Sequence, residues 1–168
     1  MIVLACEGKT ERELIKRLLE EGKMSFSREE VFDYGPIHSR QLKEYRSMLQ
    51  SIDFQEHICI KRIGDTLNDE LMLPFFQQRI ALGLVEVERY CTKPEIEILA
   101  IIAKGWIKEF GKHRLGPKSF LRQFHPEFDF MDFIQNEPIS TLVDSIFEYK
   151  RIKKHTNGLC YLADLIVR

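Results

Sequence analysis

The sequence predicts an α/β fold with a four-stranded, mainly parallel sheet flanked by helices. Two observations lead there. Apolar runs of strand length alternate four times with helical patterns between Ile2 and Lys104. The first run, Ile2 to Cys6, carries no polar alternation, which is how a strand covered on both faces reads. Alternation of this kind favours parallel strands joined by helical crossovers.

The elements follow in order. After the first strand, Leu14, Ile15, Leu18 and Leu19 recur at helical spacing opposite Lys16, Arg17, Glu20 and Glu21, and Gly22 supplies a stop. Val31 to Tyr34 is the second strand candidate, closed by Gly35-Pro36. Ser39 can cap a helix to about Ser51 that buries Leu42, Tyr45, Met48 and Leu49. His57 to Ile63 is the third strand, and Asn68 to Leu82 a helix in which Pro74 marks a kink or a late start. Leu84 to Tyr90 is the fourth strand. Pro94 suits the first turn of a helix running from Glu95 to about Lys104.

Beyond Lys104 the alternation ends. Residues 105–168 read as a helical extension packed on the α/β domain of residues 1–104, without a second core. Pro138 to Lys154 is its clearest helix, with Leu142, Val143, Ile146 and Phe147 on one stripe, and Leu159 to Val167 is a last short helix or strand. The phenylalanines of 120–134 and Trp106 read as packing rather than as a platform for bases.

Composition narrows the function. A formal net charge of −1 provides no global field for nucleic acid, so such binding needs a local patch. The densest basic run is Lys150, Arg151, Lys153 and Lys154, although cations also suit the end of a helix. Cys6, Cys59, Cys91 and Cys160 form no CxxC pair, so they read as small hydrophobes in a reducing compartment. The apolar start is too short for a signal peptide or a membrane span, which makes a cytoplasmic protein without membrane contact the expectation.

Acids stand at the ends of the expected strands. Glu7 ends the first and Glu11 opens its helix. Asp65 ends the third, and Glu95 and Glu97 follow the fourth. In a parallel sheet these ends share one edge. Converging carboxylates suit Mg²⁺ or Mn²⁺, which retain sites for phosphate oxygens. Lys9, Lys61, Arg62 and Lys93 lie near the same edge and are candidates for phosphate contact. Glu11 also fits the plain preference of acids for a first helical turn. Glu7 is harder to explain so, because a turn before glycine more often carries Asn, Asp or Ser. His38 could bind phosphate or relay a proton, a role that loop histidines seldom have.

The run Glu7-Gly8-Lys9-Thr10-Glu11 resembles the EGxTE opening of small Toprim-like proteins, the group that includes OLD-type nucleases and RloB-like proteins. Cys91-Thr92-Lys93-Pro94-Glu95-Ile96-Glu97 resembles the NPxFE segment of the RloB-like members, with Pro94 and Glu97 at the matching positions. The resemblance covers residues 1 to about 104. It implies a metal site of Glu7, Glu11, Asp65 and Glu97, with Glu7, Lys9, Glu11 and Asp65 as catalytic residues of a Mg²⁺- or Mn²⁺-dependent nuclease. It further implies DNA or RNA as substrate, a place in bacterial antiviral defence, an ATPase partner and self-association. One departure stands out. The family's Asp-x-Asp reads Ile63-Gly64-Asp65 here, or Asp65-Thr66-Leu67 on a shifted alignment, so one carboxylate is lost either way. One-metal, two-metal and inactive sites all remain open, and the alternative is a non-catalytic binding or regulatory module.

Overall fold

The computed structural model describes residues 1–65, 73–93, 95–153 and 160–168. Its centre is a five-stranded sheet in the order β2-β1-β3-β4-β5, with every pairing parallel. The strands are β1 (Ile2–Cys6), β2 (Ile37–His38), β3 (Ile58–Gly64), β4 (Val85–Cys91) and β5 (Cys160–Tyr161). The sheet has five strands rather than four because the C-terminal segment returns to pair Cys160 with Tyr90 and Tyr161 with Cys91.

The second strand lies later than the sequence suggests. Val31 makes only an isolated bridge to Ile2, and Phe32 to Tyr34 curl into a helical turn. Asp33 and Tyr34 adopt left-handed backbone angles there, with φ of 56° and 55°. The chain therefore turns before Gly35-Pro36, and pairing starts after them at Ala5 opposite Ile37.

Helix α1 (Lys9–Glu20) buries Leu14, Ile15, Leu18 and Leu19 as its spacing requires. Gly22 ends it at φ 62°, and the Lys23 N–H closes back on the Leu18 carbonyl. The expected helix from Ser39 divides into a 3-10 turn (Ser39–Lys43) and α2 (Arg46–Ser51). His38 rather than Ser39 caps that turn, its Nδ1 accepting from the Arg40 N–H, and Met48 faces solvent. Residues 68–72 of the next expected helix lie outside the described residues. Pro74 opens a short turn that leads into α3 (Gln77–Ala81). Helix α4 (Ile98–Ala103) is fully apolar and largely buried, and Glu97 is its N-cap.

Each face of the sheet has its own core. Val3, Ala5, Ile58, Ile60 and Val85 pack under Leu42, Leu49, Leu73 and Phe76. Leu4, Cys6, Ile63 and Tyr90 pack under α1, α4 and the C-terminal helices. Those helices are α5 (Ile107–Phe110), α6 (Pro117–Phe124), α7 (Phe130–Asn136) and α8 (Ile139–Ile152). Arg17 of α1 donates to the carbonyls of Ile134 and Glu137, closing the end of α7 onto the α/β layer. The phenylalanines of this region are packing groups. Phe120 is fully buried, with ring centroids 5.3 Å from Phe110 and 5.2 Å from Phe124.

β5 covers only the end of β4, so Val85 to Arg89 form an open strand edge on that side among the described residues. Glu86, Val87 and Arg89 are exposed there.

Because the extension shares one core with α1 and α4, Phe120→Ala is expected to cost about 3–5 kcal/mol. Urea unfolding followed by circular dichroism should show one transition at a lower midpoint, whereas separate loss of residues 105–168 would argue against a common core.

Candidate functional site

Strand order directs attention to one edge. Connections leave β1 toward β2 and leave β3 toward β4, so the winding reverses between β1 and β3. At such a point the crossovers diverge and open a crevice beyond the carboxyl ends of the strands. A cleft of about 820 Å³ lies there. Glu7 follows β1, Ser39 and Arg40 follow β2, Asp65 follows β3, and Glu95 and Glu97 follow β4; all line it. Lys9 and Glu11 reach it from the first turn of α1, and Lys118 from the start of α6. Glu7, Glu11, Asp65 and Glu97, expected on one edge, thus border one cavity.

The register explains how Glu7 is aimed. Cys6 pairs with Ile63, so Glu7 falls beside Gly64, and its N–H donates to the Ile63 carbonyl at 2.9 Å. Its side chain crosses Gly64 to Arg62, whose Nη2 donates to Oε1 at 2.5 Å. A Cβ on residue 64 would fall inside the Glu7 carboxylate. Gly8 does the same for Glu11, since a Cβ there would meet Glu11 Oε2. Both glycines leave room for a carboxylate.

The acids crowd one another electrostatically. Burial pushes the Glu11 carboxyl above the usual glutamate range, and the charges of Asp65, Glu97 and Glu7 add to the effect. Glu97 is raised too, mainly by burial and then by Glu95 and Asp65, with Lys118 opposing. Unneutralised carboxylates gathered at a low-dielectric edge resist ionising together. Among the described residues, five acids and four cations (Lys9, Arg40, Arg62, Lys118) line the cleft, leaving one negative charge when all are ionised.

Arg40 and Lys118 join the cleft without an assigned role in the sequence reading, where Glu95 stood among the strand-end acids. Arg40 had the signal of standing just past a strand. Glu95 accepts from the Lys118 N–H at 2.9 Å and so seats the start of α6 at the rim. Lys118 had no signal, because nothing in its own segment relates it to β4.

Other expected contacts lie elsewhere. Lys61 and Arg62 are neighbours on β3 and therefore point to opposite faces. Lys61 pairs with Glu88 at 2.5 Å and approaches the Tyr90 hydroxyl at 3.4 Å, away from the cleft. Lys93 is exposed and does not line it; the Lys93 carbonyl accepts from Tyr149. In the basic run, Lys150 pairs with Asp164 and Arg151 with Glu148. Lys153 sits over the Tyr149 ring, and Lys154 lies outside the described residues, as does Pro94. His38 is engaged as a cap.

The cysteines are all free. Cys6 and Cys91 are buried, Cys59 is half-buried and Cys160 is exposed. Cys59, Glu86 and Glu88 bring ligand atoms within 4.8 Å of one another on the Lys61 face, where the Lys61 ammonium already balances Glu88. No helix among the described residues is long and apolar enough to cross a membrane. Comparison with protein-family models, curated proteins and solved structures finds no match to this chain.

Gly64→Ala is expected to push Glu7 off Arg62 and to lower stability by about 1–3 kcal/mol, the usual range for overfilling a packed position. Thermal denaturation measures the loss, and a crystal structure of the variant with Glu7 unmoved would contradict the account.

The pH dependence carries a sign. Glu11 and Glu97 hold protons more tightly folded than unfolded, so their strain is relieved as pH falls from neutral through their raised values. Stability of the metal-free protein should therefore rise as pH falls from neutral toward the ordinary glutamate range, by more than in Glu11→Gln/Glu97→Gln. At neutral pH the double variant should be the more stable, by about 0.5–2 kcal/mol. Urea midpoints across this range test both statements.

Proposed function

We propose that the protein is a metal-dependent phosphodiesterase of Toprim type that cleaves nucleic acid. The observation that carries this reading is the convergence of Glu7, Glu11, Asp65 and Glu97 on one cleft from the ends of three strands. On this reading β1 to β4 are the Toprim-like sheet and β5 is an addition. The donor set fits Mg²⁺ or Mn²⁺. It is all oxygen, it carries excess negative charge, and Gly8 and Gly64 leave room for the Glu11 and Glu7 carboxylates to lie at this edge. Glu11, Asp65 and Glu97 would hold the ion, with Glu7 beside them.

A bound divalent ion would supply charge neutralisation at the phosphate and a water of lowered pKa. The chain's residues supply the rest. Lys9, Arg40 and Lys118 are exposed cations on the rim and are placed to bind the phosphates flanking the scissile one. Arg62 orients Glu7 through Oε1. A cleft carboxylate accepts the proton of the attacking water as the new P–O bond forms and the leaving P–O bond breaks.

A cytoplasmic location, a part in antiviral defence and an ATPase partner extend the same reading. The incomplete Asp-x-Asp at Ile63-Gly64-Asp65 favours a second one, a non-catalytic Toprim-like module that binds nucleic acid or a regulator through the same cleft.

Calorimetric titration with Mn²⁺ is the first test, and saturation at or below millimolar metal is expected. Cleavage assays on single-stranded DNA, duplex DNA and RNA should then show Mn²⁺-dependent hydrolysis that falls about 10²–10⁴-fold in Glu11→Gln. Metal binding without hydrolysis of any of these selects the non-catalytic module. No binding at millimolar metal sinks the enzyme reading.

A further inference from the structure

Arg62 differs in kind from the other cations at the cleft. Lys9, Arg40 and Lys118 are exposed, whereas Arg62 is 4% exposed and rises from the middle of the sheet. A buried guanidinium is stable only against an anion with good geometry, and Glu7 supplies one at 2.5 Å. The arrangement is built for this contact. Glu7 extends β1 beside Gly64, and the absence of a side chain at 64 lets the carboxylate lie back over the sheet toward Arg62. The positive charge at this end of the cleft is therefore covalently fixed. A divalent ion placed beside Glu7 would sit against that guanidinium and be repelled by it.

The other acids reach the cleft from separate elements. Glu11 comes from α1, Asp65 and Glu97 follow β3 and β4, and Lys118, whose charge opposes the crowding at Glu97, is exposed. The cleft as a whole carries one excess negative charge among the described residues. One divalent ion reverses that sign and makes the cleft attractive to a phosphate, so a second is not needed for it.

We infer that Arg62 takes the place of a second metal ion. The cleft holds one divalent cation, seated by Glu11, Asp65 and Glu97, and the Arg62 guanidinium acts as a positioning residue that holds Glu7. This rests on the metal-binding reading above and decides between the one-ion and two-ion forms of it.

The test is the number of Mn²⁺ ions bound per chain, read from the electron paramagnetic resonance signal of free Mn²⁺ and from calorimetry. Wild type is expected to bind one. Arg62→Lys keeps the charge and should also bind one. Arg62→Gln exposes Glu7 and should bind a second ion, provided circular dichroism shows a folded chain. Glu7→Gln decides the matter independently. It should still bind one ion with affinity changed by less than about threefold, while Glu11→Gln weakens binding about 10–100-fold. Two ions on wild type overturn the inference and leave the metal site standing. One ion on a folded Arg62→Gln at unchanged affinity, or loss of the ion in Glu7→Gln, also overturns it. No ion on wild type overturns the metal reading itself.

Discussion

Parallel strands impose a constraint that the rest of this molecule answers to. When every strand runs the same way, each crossover must start from the same edge of the sheet, and residues far apart in sequence leave their strands side by side. Here that edge receives Glu7, Arg40, Asp65 and Glu95 to Glu97 within one crevice. A parallel sheet also buries its strands on both faces, which leaves little tolerance for a charged residue within them. Arg62 is such a residue. It is accommodated because it lies near the carboxyl end of β3, where a long side chain can reach an anion at the strand terminus.

Stability and function oppose each other at this edge. Like charges held together in a partly dry setting weaken the fold, yet they are the donors that a cation requires. The protein limits the conflict locally. Arg62 compensates Glu7, and Lys118 opposes the crowding at Glu97. Glu11 has burial and three acids acting against its ionised form, so a divalent ion would relieve it most.

The alternation of apolar runs and helical stripes made the α/β class and the common edge legible, because both depend on local spacing and strand direction alone. Four things were not legible. β5 depends on a two-residue pairing with Tyr90 and Cys91, too short for any periodicity to announce. The second strand was displaced by the left-handed pair Asp33 and Tyr34, neither of them glycine. Lys61 and Arg62 were indistinguishable as candidate phosphate contacts, since a strand sends adjacent residues to opposite faces and only the register says which face meets the cleft. Lys118 was out of reach for a different reason. Its approach to the cleft is made by α6 docking on Glu95, a contact between segments 23 residues apart.

Among the described residues, Val85 to Arg89 of β4 have no strand partner on their outer side, which bears on how the molecule meets its own copies. A bare strand edge is a template for another strand. Antiparallel pairing of two copies about Val87 would set each Glu86 opposite a Glu88 of the other, with the Lys61 ammonium that pairs with Glu88 beside them. Glu88 is also held below the ordinary glutamate range by its hydrogen bonds with Lys61 and Tyr90. Another strand docking there would bury Glu86 beside the Lys61–Glu88–Tyr90 contacts, so the alternating Val-Glu-Val-Glu of this strand is less suited to sheet growth than its pattern suggests.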